Sequence, residues 1–438
     1  MLAGVLVGGL LGGIGSAGAQ GSGQEMVLEK VVTLMRHGVR PPTESAELAH
    51  YTDQPWPSWP VADGQLTPHG VEAISQLGRW ERAQYAAAGL LPAEGCPAKA
   101  EVFAWANRGY ARTIDTGKAM LAAMFPGCGL EVGVAPGKGH DPLFTARQTE
   151  VGRMNPAAAQ AAILEKMGGS FDRPRAELAA LLPPMQAMLG CCAAVMCPDK
   201  GATCSFGDLP WGFTVSSNEG NVDLRGPLNT GSTVAQVILL EYLEGMPAAQ
   251  VGWGQAATRD EVMRLAAIRL LKYRYMEGVP YIARHGASNI ARQINLAVEQ
   301  GAGIRGADSD MGPPPAKLVL FVGSDTQIAE LGTLLDAHWQ SEGYLADETP
   351  PGGALSFELL RTPDGRRFVR TVFLAQSPDQ IRAVSTLGAD NAPSRSVVMP
   401  AFCKAVAEGD ACPVAAFSQG MRAVIDMTAV SVPAWRQH

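Results

Sequence analysis

Val31-Val32-Thr33-Leu34-Met35-Arg36-His37-Gly38-Val39-Arg40-Pro41 joins an apolar segment to a cluster of basic residues. Its first five residues form a short apolar run, typical of a strand buried on both faces. Two arginines and a histidine follow at once. A guanidinium offers a planar fork of donors that suits phosphate, and a histidine between two such groups can attack the anion that they bind. The alternative is an exposed basic turn, but the position directly after a buried strand favours a phosphate-handling site.

Further apolar runs of the same kind indicate the architecture around this strand. Runs typical of buried parallel strands lie at 31–35, 101–106, 318–322 and 371–375. A helix is predicted between the first two, with Thr67 as its cap and Pro68 in its first turn. Its apolar face runs through Ile74, Leu77 and Trp80-Ala83-Ala87. Strands that alternate with helices predict a layered α/β domain. The segment 155–278 is rich in Ala, Leu and Met instead, which predicts a mostly helical insertion.

Three of the predicted strands end in polar residues. In an open α/β sheet, ligands bind outside the carboxyl ends of the strands. The run 31–35 ends at Arg36-His37, and the run 318–322 ends at Gly323-Ser324-Asp325. The run 101–106 leads into Asn107-Arg108-Gly109-Tyr110-Ala111-Arg112-Thr113. We therefore expect these three segments to converge on one edge of the sheet.

The motif Arg36-His37-Gly38-x-Arg40-x-Pro42 resembles the signature of the histidine acid phosphatases, within the superfamily that includes phosphoglycerate mutase. The chain is most similar to the bacterial branch of periplasmic phytases and glucose-1-phosphatases. This resemblance implies a phosphoglycerate-mutase-like layered α/β domain (26–154 and 279–438) with a smaller, mostly helical domain inserted at 155–278. Further motifs of the family follow in order: Trp56-Pro57-Ser58-Trp59-Pro60, Leu66-Thr67-Pro68-His69-Gly70, Asp141-Pro142-Leu143-Phe144, Gly226-Pro227-Leu228, Gly323-Ser324-Asp325-Thr326 and Thr349-Pro350-Pro351-Gly352-Gly353.

The resemblance assigns roles to the residues at the predicted edge. His37 is the expected nucleophile, which forms a phosphohistidine that water then hydrolyses. Asp325 is the expected general acid, because the charge of a bound phosphate raises the pKa of a nearby carboxyl. Without the resemblance, Asp325 could simply be a helix N-cap, Arg112 an ordinary arginine at a helix N-terminus and Thr43 a turn residue. The expected phosphate-binding residues are Arg36, Arg40, Arg112, Thr43 and Ser324.

Three departures from the family pattern bear on phosphate binding or on the choice of substrate. Ser324 replaces the histidine of the distal His-Asp-Thr motif, and Ile114 replaces the second arginine of an Arg-Thr-Arg segment. Glu44 stands where the phytases have a lysine that holds their polyanionic substrate, and Coulomb repulsion by this carboxylate disfavours phytate. A less charged phosphomonoester, such as a sugar phosphate, fits better. The alternatives are a 4-phytase acting on inositol hexakisphosphate, or a protein that binds a phosphate ligand with weakened catalysis. A mutase is disfavoured by the export features described next.

The composition limits the compartment and the partners. The small apolar residues of segment 1–19 predict a signal peptide cut after Ala19, and hence a periplasmic or secreted protein. A net charge of −7 argues against nucleic acid, and no later segment is apolar enough to span a membrane. We expect a small phosphorylated substrate and no cofactor or metal, while the oligomeric state stays open.

Eight cysteines in an exported chain suggest four disulfides. The resemblance implies the pairs Cys96–Cys128 and Cys403–Cys412. Four more cysteines crowd a short segment that carries no histidine, so disulfides are favoured over zinc, but their pairing stays open: Cys191, Cys192, Cys197 and Cys204.

Overall fold

A computed structural model of the chain describes residues 26–190, 196, 205–216 and 220–436. The predicted signal peptide at 1–19 lies outside the described residues, as do Cys191, Cys192, Cys197 and Cys204. The strands are β1 (Val27–Arg36), β2 (Val102–Ala106), β3 (Gly133–Val134), β4 (Gly212–Val215), β5 (Val222–Arg225), β6 (Leu318–Gly323), β7 (Ala354–Arg361), β8 (Arg367–Ala375), β9 (Ser394–Val398) and β10 (Cys412–Pro413). The helices are α1 (Ser45–Leu48), α2 (Pro68–Ala87), α3 (Ala111–Met124), α4 (Pro156–Met167), α5 (Asp172–Ala179), α6 (Leu182–Leu189), α7 (Pro227–Leu243), α8 (Arg259–Tyr275), α9 (Pro280–Gly301), α10 (Asp325–Leu335), α11 (Pro378–Arg382) and α12 (Val414–Val424).

A mixed eight-stranded sheet forms the centre of the fold. Its order is β10-β8-β7-β1-β6-β2-β3, and β9 pairs with β8. The neighbours β1, β6, β2 and β3 pair parallel, whereas β7 pairs antiparallel with both β1 and β8. Parallel strands need covered faces, so the continuous apolar runs of β1 and β6 place them at the centre of the sheet. The predicted layered α/β fold class is confirmed.

Helices cover both faces of this sheet. Alternate residues of a strand point to opposite faces, and β1 follows that rule. Val31 and Met35 belong to a core that includes residues of α2 and α3, whereas Val32 and Leu34 belong to a core that includes residues of α9 and α10. The apolar residues of β1 from Val31 to Met35 and those of β6 from Leu318 to Val322 are therefore divided between two cores. The edge where β1 and β6 end is fixed by packing on both sides.

The segment between β3 and α9 is mostly helical, as predicted. It contains α4 to α8 and the hairpin of β4 and β5. Its apolar side chains form a third core, in which Ile163, Ile238 and Ile268 are fully buried. The same core includes Val39 and Ile381 from outside the segment. The division into an α/β domain and an inserted domain at 155–278 stays a prediction.

Two details of the predicted elements are wrong. The run 371–375 lies in β8, which pairs only antiparallel with its neighbours among the described strands, because an apolar run indicates burial but not direction. Helix α2 is capped by Thr67 and buries Ile74 and Leu77, as predicted. Its second half, however, buries Glu81 and Tyr85 and leaves the stretch Ala83–Ala87 otherwise mostly outside the core.

The two disulfides among the described residues are the ones that the family resemblance implies. Cys96 and Cys128 form one disulfide, and Cys403 and Cys412 form another. Among the described helices, none is long and apolar enough to cross a bilayer.

Candidate active site

The carboxyl ends of β1, β6 and β2 meet at one edge of the sheet. Arg36 is paired with Gly323 in the parallel register, and Ala106 is paired with Val322. The N–H of His37 donates to the carbonyl of Gly323 at 3.1 Å, which continues the pairing by one residue. The residues that follow the three strands therefore lie next to one another, as the sequence predicts.

His37 is buried at this edge, with only 1% of its surface exposed. Its Nδ1 lies 2.8 Å from the carbonyl oxygen of Gly38. A carbonyl can only accept, so Nδ1 carries the proton and Nε2 keeps a free lone pair. Gly38 is held in turn, because its N–H donates to Thr116 Oγ1 at 3.0 Å. A Cβ atom at position 38 would lie 2.8 Å from Leu66 Cδ1, so a larger residue here would require Leu66 to shift.

Three guanidinium groups surround His37. Arg36 is fully buried, and its Nη1 donates to the carbonyl of Thr349. Arg40 Nη1 donates to the carbonyl of Pro41 at 2.8 Å, and Arg112 lies over the ring of Tyr110 at 4.2 Å. Within the described part of the chain, the buried Nε atoms of these three arginines have no hydrogen-bond partner. Buried donors of one charge sign, without a protein acceptor, suit an oxyanion with several oxygens.

The cluster changes the proton affinity of its own members. Burial lowers the pKa of His37 well below its ordinary value, and the positive charges of Arg112, Arg36 and Arg40 lower it further. Burial, together with Arg112 and Arg36, also lowers the pKa of Arg40 to about 9. Near neutral pH the imidazole is therefore uncharged while the guanidinium groups stay charged. This combination gives a nucleophile inside a positive field.

Asp325 is the first residue of α10 and faces the same cluster. Its Oδ2 lies 3.1 Å from Arg36 Nη2 and 2.7 Å from Arg269 Nη2, and its Oδ1 accepts from the N–H of Thr326 at 3.1 Å. Burial raises the pKa of this carboxyl, but the positive charges of Arg36 and Arg269 bring it well below its ordinary value. The raised pKa expected from the sequence refers to the site with phosphate bound, and it stays a prediction.

Ser324, rather than Asp325, is the N-cap of α10. The hydroxyl and the backbone N–H of Ser324 both donate to Gln327 Oε1, at 2.9 and 2.7 Å. The helix-capping alternative for Asp325 is therefore wrong. Thr43 is exposed and lines the mouth of the site beside Glu44. Ile114 is partly buried against the core under α3.

Sequence reasoning missed a buried ion-pair network behind Asp325. Arg269 on α8 is 1% exposed and pairs with both Asp325 and the fully buried Glu348. Its Nη2 also lies 3.2 Å from Thr349 Oγ1, and its guanidinium covers the ring of Tyr273 at 4.2 Å. A charged residue within a helix ordinarily faces solvent, so its position gave no sign of burial. The motif that begins at Thr349 was the one sequence feature that pointed to this network.

Two cavities open from this edge and share Arg40, Thr43, Glu44 and Asp325. The hydroxyl-lined cavity has a volume of about 310 Å³. The arginine-lined cavity has a volume of about 340 Å³. Larger cavities of about 630 and 640 Å³ lie elsewhere and contain neither His37 nor any of the three arginines around it. The hydroxyl-lined cavity is formed further by Glu47, Tyr51, Asn229, Ser232, Thr233 and Gln236. The arginine-lined cavity is formed further by His37, Arg112, Arg147, Gln148, Asn221 and Glu330.

Comparisons with known proteins agree with this geometry. The model of the histidine phosphatase superfamily, branch 2, matches residues 27–183 and 260–374. A phytase of Escherichia coli K12, Phytase AppA, is 31% identical over 417 residues, which cover 92% of this chain and 93% of the relative. A glucose-1-phosphatase of Salmonella typhimurium is 28% identical, with 92% and 94% covered. The structure of a Hafnia alvei phytase in complex with tartrate superimposes with a TM-score of 0.84 at 28% identity, with 93% and 99% covered.

The family match covers more than half of the chain and includes every segment that meets at the edge around His37. Both curated relatives named above are phosphatases that align along almost their entire length. The expected family is confirmed, and with it the expected reaction class. The chain belongs to branch 2 of the histidine phosphatase superfamily and is a phosphoric monoester hydrolase.

Proposed function

We propose that this protein hydrolyses phosphomonoesters with a hydroxyl-rich leaving group, such as sugar phosphates, through a phosphohistidine on His37. The observation that carries the proposal is the uncharged, tautomerically fixed imidazole of His37 inside a ring of three guanidinium groups. Nε2 attacks phosphorus, and the bond from phosphorus to the ester oxygen breaks. Arg36, Arg40 and Arg112 bind the non-bridging oxygens, where positioning and electrostatics supply most of the catalysis of phosphoryl transfer.

Asp325 supplies the proton in this mechanism. The bound phosphate competes with the carboxylate for Arg36, and its negative charge raises the pKa of Asp325, so that the carboxyl is protonated in the complex. The proton passes to the departing ester oxygen, which leaves as an alcohol. Water then attacks the phosphohistidine while Asp325 takes its proton, and free phosphate and neutral His37 result. Because protonation is needed, the reaction is expected to be fastest in acid.

The hydroxyl-lined cavity supports a leaving group with several hydroxyls. Asn229, Ser232 and Gln236 offer amide and hydroxyl groups that suit sugar hydroxyls. The same cavity includes Glu44 and Glu47, and the hydrogen bond between their carboxyl groups, together with the charge of Glu47, raises the pKa of Glu44. Two adjacent carboxyl groups disfavour a substrate with many phosphates. Relatives named glucose-1-phosphatase carry out the corresponding reaction on a sugar phosphate.

Phytase activity is the alternative, because the E. coli relative and the Hafnia alvei structure are both named phytases. The test is phosphate release from glucose 1-phosphate and from phytate, measured from pH 3 to pH 7 on the oxidised protein. We expect a higher kcat/KM for glucose 1-phosphate across the acidic range. A higher kcat/KM for phytate would favour the alternative. Glu44→Lys serves as the matched variant, because it should raise the rate on phytate relative to the rate on glucose 1-phosphate.

Ser324→His tests the most conspicuous departure from the family pattern. A histidine here would place another donor on the phosphate, and one charge-assisted hydrogen bond corresponds to about a tenfold change or more in rate. We therefore expect kcat/KM for p-nitrophenyl phosphate to rise about tenfold. A loss of rate in a folded variant would show that the hydrogen bonds from Ser324 to Gln327 belong to a differently arranged pocket. Ser324→Ala, which removes the hydroxyl without adding a donor, is the control.

We also propose that the protein is exported. The apolar segment 1–19 and the two disulfides support this proposal, since disulfides persist in oxidising compartments.

A further inference from the structure

Arg147 is a third arginine in the walls of the arginine-lined cavity, beside Arg40 and Arg112, and it plays no part in the mechanism proposed for His37 and Asp325. It lies in a short 3₁₀ helix, Ala146–Gln148, and 14% of its side chain is exposed. Its Nε lies 2.9 Å from Glu330 Oε1, and its Nη2 lies 4.0 Å from Glu277 Oε1. The guanidinium is thus paired with two carboxyl groups and adjoins the cavity that contains His37.

The backbone of α9 makes room for this arrangement. Glu330 is 1% exposed, and its carboxylate packs directly against Gly286. A Cβ atom at position 286 would come within 2.1 Å of Glu330 Oε2, so any other residue there would displace the carboxylate and with it Arg147. Gly286, Arg147 and Glu330 all line the cavity that contains His37. The position of Arg147 is therefore built by three separate segments of the chain.

The surrounding charges leave Arg147 able to attract an anion. Burial raises the pKa of Glu330 to about 8, although Arg147 opposes this shift. Burial also raises the pKa of Glu277, and Lys272 and Arg147 oppose that shift. Behind them, Lys272 lies 3.3 Å from Asp223. In acid, Glu330 carries a proton and is therefore neutral, so its carboxyl group does not cancel the positive charge on Arg147.

We propose that Arg147 forms a second anion subsite, so that the preferred substrates carry one further anionic group, a carboxylate or a phosphate, on the leaving group. The inference rests on the proposed function, and it narrows the substrate class. The scissile phosphate occupies the cluster of Arg36, Arg40 and Arg112, and the second anion lies toward Arg147. Glu44 lines both cavities and disfavours further anions, so the subsite accepts one additional group rather than the five of phytate.

The test compares two ligands that differ only in the second anionic group: glycerol 3-phosphate and 3-phosphoglycerate. Their dissociation constants are measured by calorimetry at pH 5 in the His37→Ala background, so that neither ligand is hydrolysed. We expect 3-phosphoglycerate to bind more tightly. In His37→Ala/Arg147→Met, the ratio of the two dissociation constants should fall by about tenfold, because one charge-assisted hydrogen bond has an effect of this size. In His37→Ala/Arg147→Lys, most of the preference should remain.

Arg79→Met, added to the same background, is the matched control, because it removes an arginine from an exposed pair on α2. If Arg147→Met does not fold with Glu330 left unpaired, Arg147→Met/Glu330→Met removes both partners and is measured instead. Equal affinity for the two ligands in the His37→Ala background would overturn the proposal. If the protein without Arg147 still binds 3-phosphoglycerate more tightly than glycerol 3-phosphate, the proposal is also overturned. Arg147 would then have a structural role. Failure of the proposed function would appear separately, as absent phosphate release by the unmodified protein.

Discussion

His37→Ala is expected to lower phosphate release from p-nitrophenyl phosphate by about 10⁴-fold or more, the size of effect seen when a covalent nucleophile is removed. Arg36, Arg40 and Arg112 remain in this variant, so inorganic phosphate should still bind and inhibit. Loss of turnover with retained phosphate binding would separate the role of the nucleophile from that of the guanidinium groups. The measurement is kcat and the inhibition constant for phosphate at pH 5.

The control for this prediction is His338→Ala, because His338 is 71% exposed and pairs with Asp347 away from the site. Its rate should equal that of the unmodified protein. A rapid quench with labelled substrate should also trap an acid-labile phosphoenzyme in the unmodified protein but not in His37→Ala. Turnover that persists in a folded His37→Ala protein would show that another group attacks phosphorus.

Asp325→Asn is expected to affect poor leaving groups far more than good ones. Removal of a general acid typically costs about 10²–10⁴ in rate when the departing alkoxide needs a proton. p-Nitrophenolate leaves without one, so its release in the first step should change much less than that of glycerol from glycerol 3-phosphate. The measurement is the ratio of the two kcat/KM values in the variant and in the unmodified protein. Equal losses on both substrates would contradict the role of Asp325 as the acid.

The same substitution also bears on stability. The pKa of Asp325 in the folded, ligand-free protein lies below its ordinary value, so the carboxylate stabilises the fold at pH values above about 4. This contribution is lost only as the pH falls through the lowered pKa. Asp325→Asn should therefore be less stable than the unmodified protein at pH 6, and the difference should shrink in strong acid. Thermal unfolding of both proteins at pH 6 and in strong acid checks this prediction. It also establishes that the Asp325→Asn protein used for the kinetic measurements is folded.

The parts of the site that follow from local sequence were predictable. His37 directly follows an apolar run, and Asp325 follows another, so the geometry of parallel strands was enough to bring them together. Arg269 and Glu348 were not predictable, because they lie 79 residues apart and only the folded chain pairs them. Likewise, no periodic pattern indicates that α2 buries Glu81 while Ala83 and Ala87, which were expected on its apolar face, stay exposed. Burial of a charged group depends on partners from other elements, which a single sequence does not reveal.

The pairing of β1 with β6 has a consequence for biosynthesis. The carbonyl of Thr349, which accepts a hydrogen bond from Arg36, lies 313 residues later in the chain. Contacts of such long range form late and slowly during folding. A ribosome that has produced the nucleophile segment must add β6, α10 and the residues around Thr349 before that segment can acquire its partners. Nascent or truncated chains that end before Thr349 should therefore lack hydrolase activity, and catalysis should begin only after this segment has been synthesised.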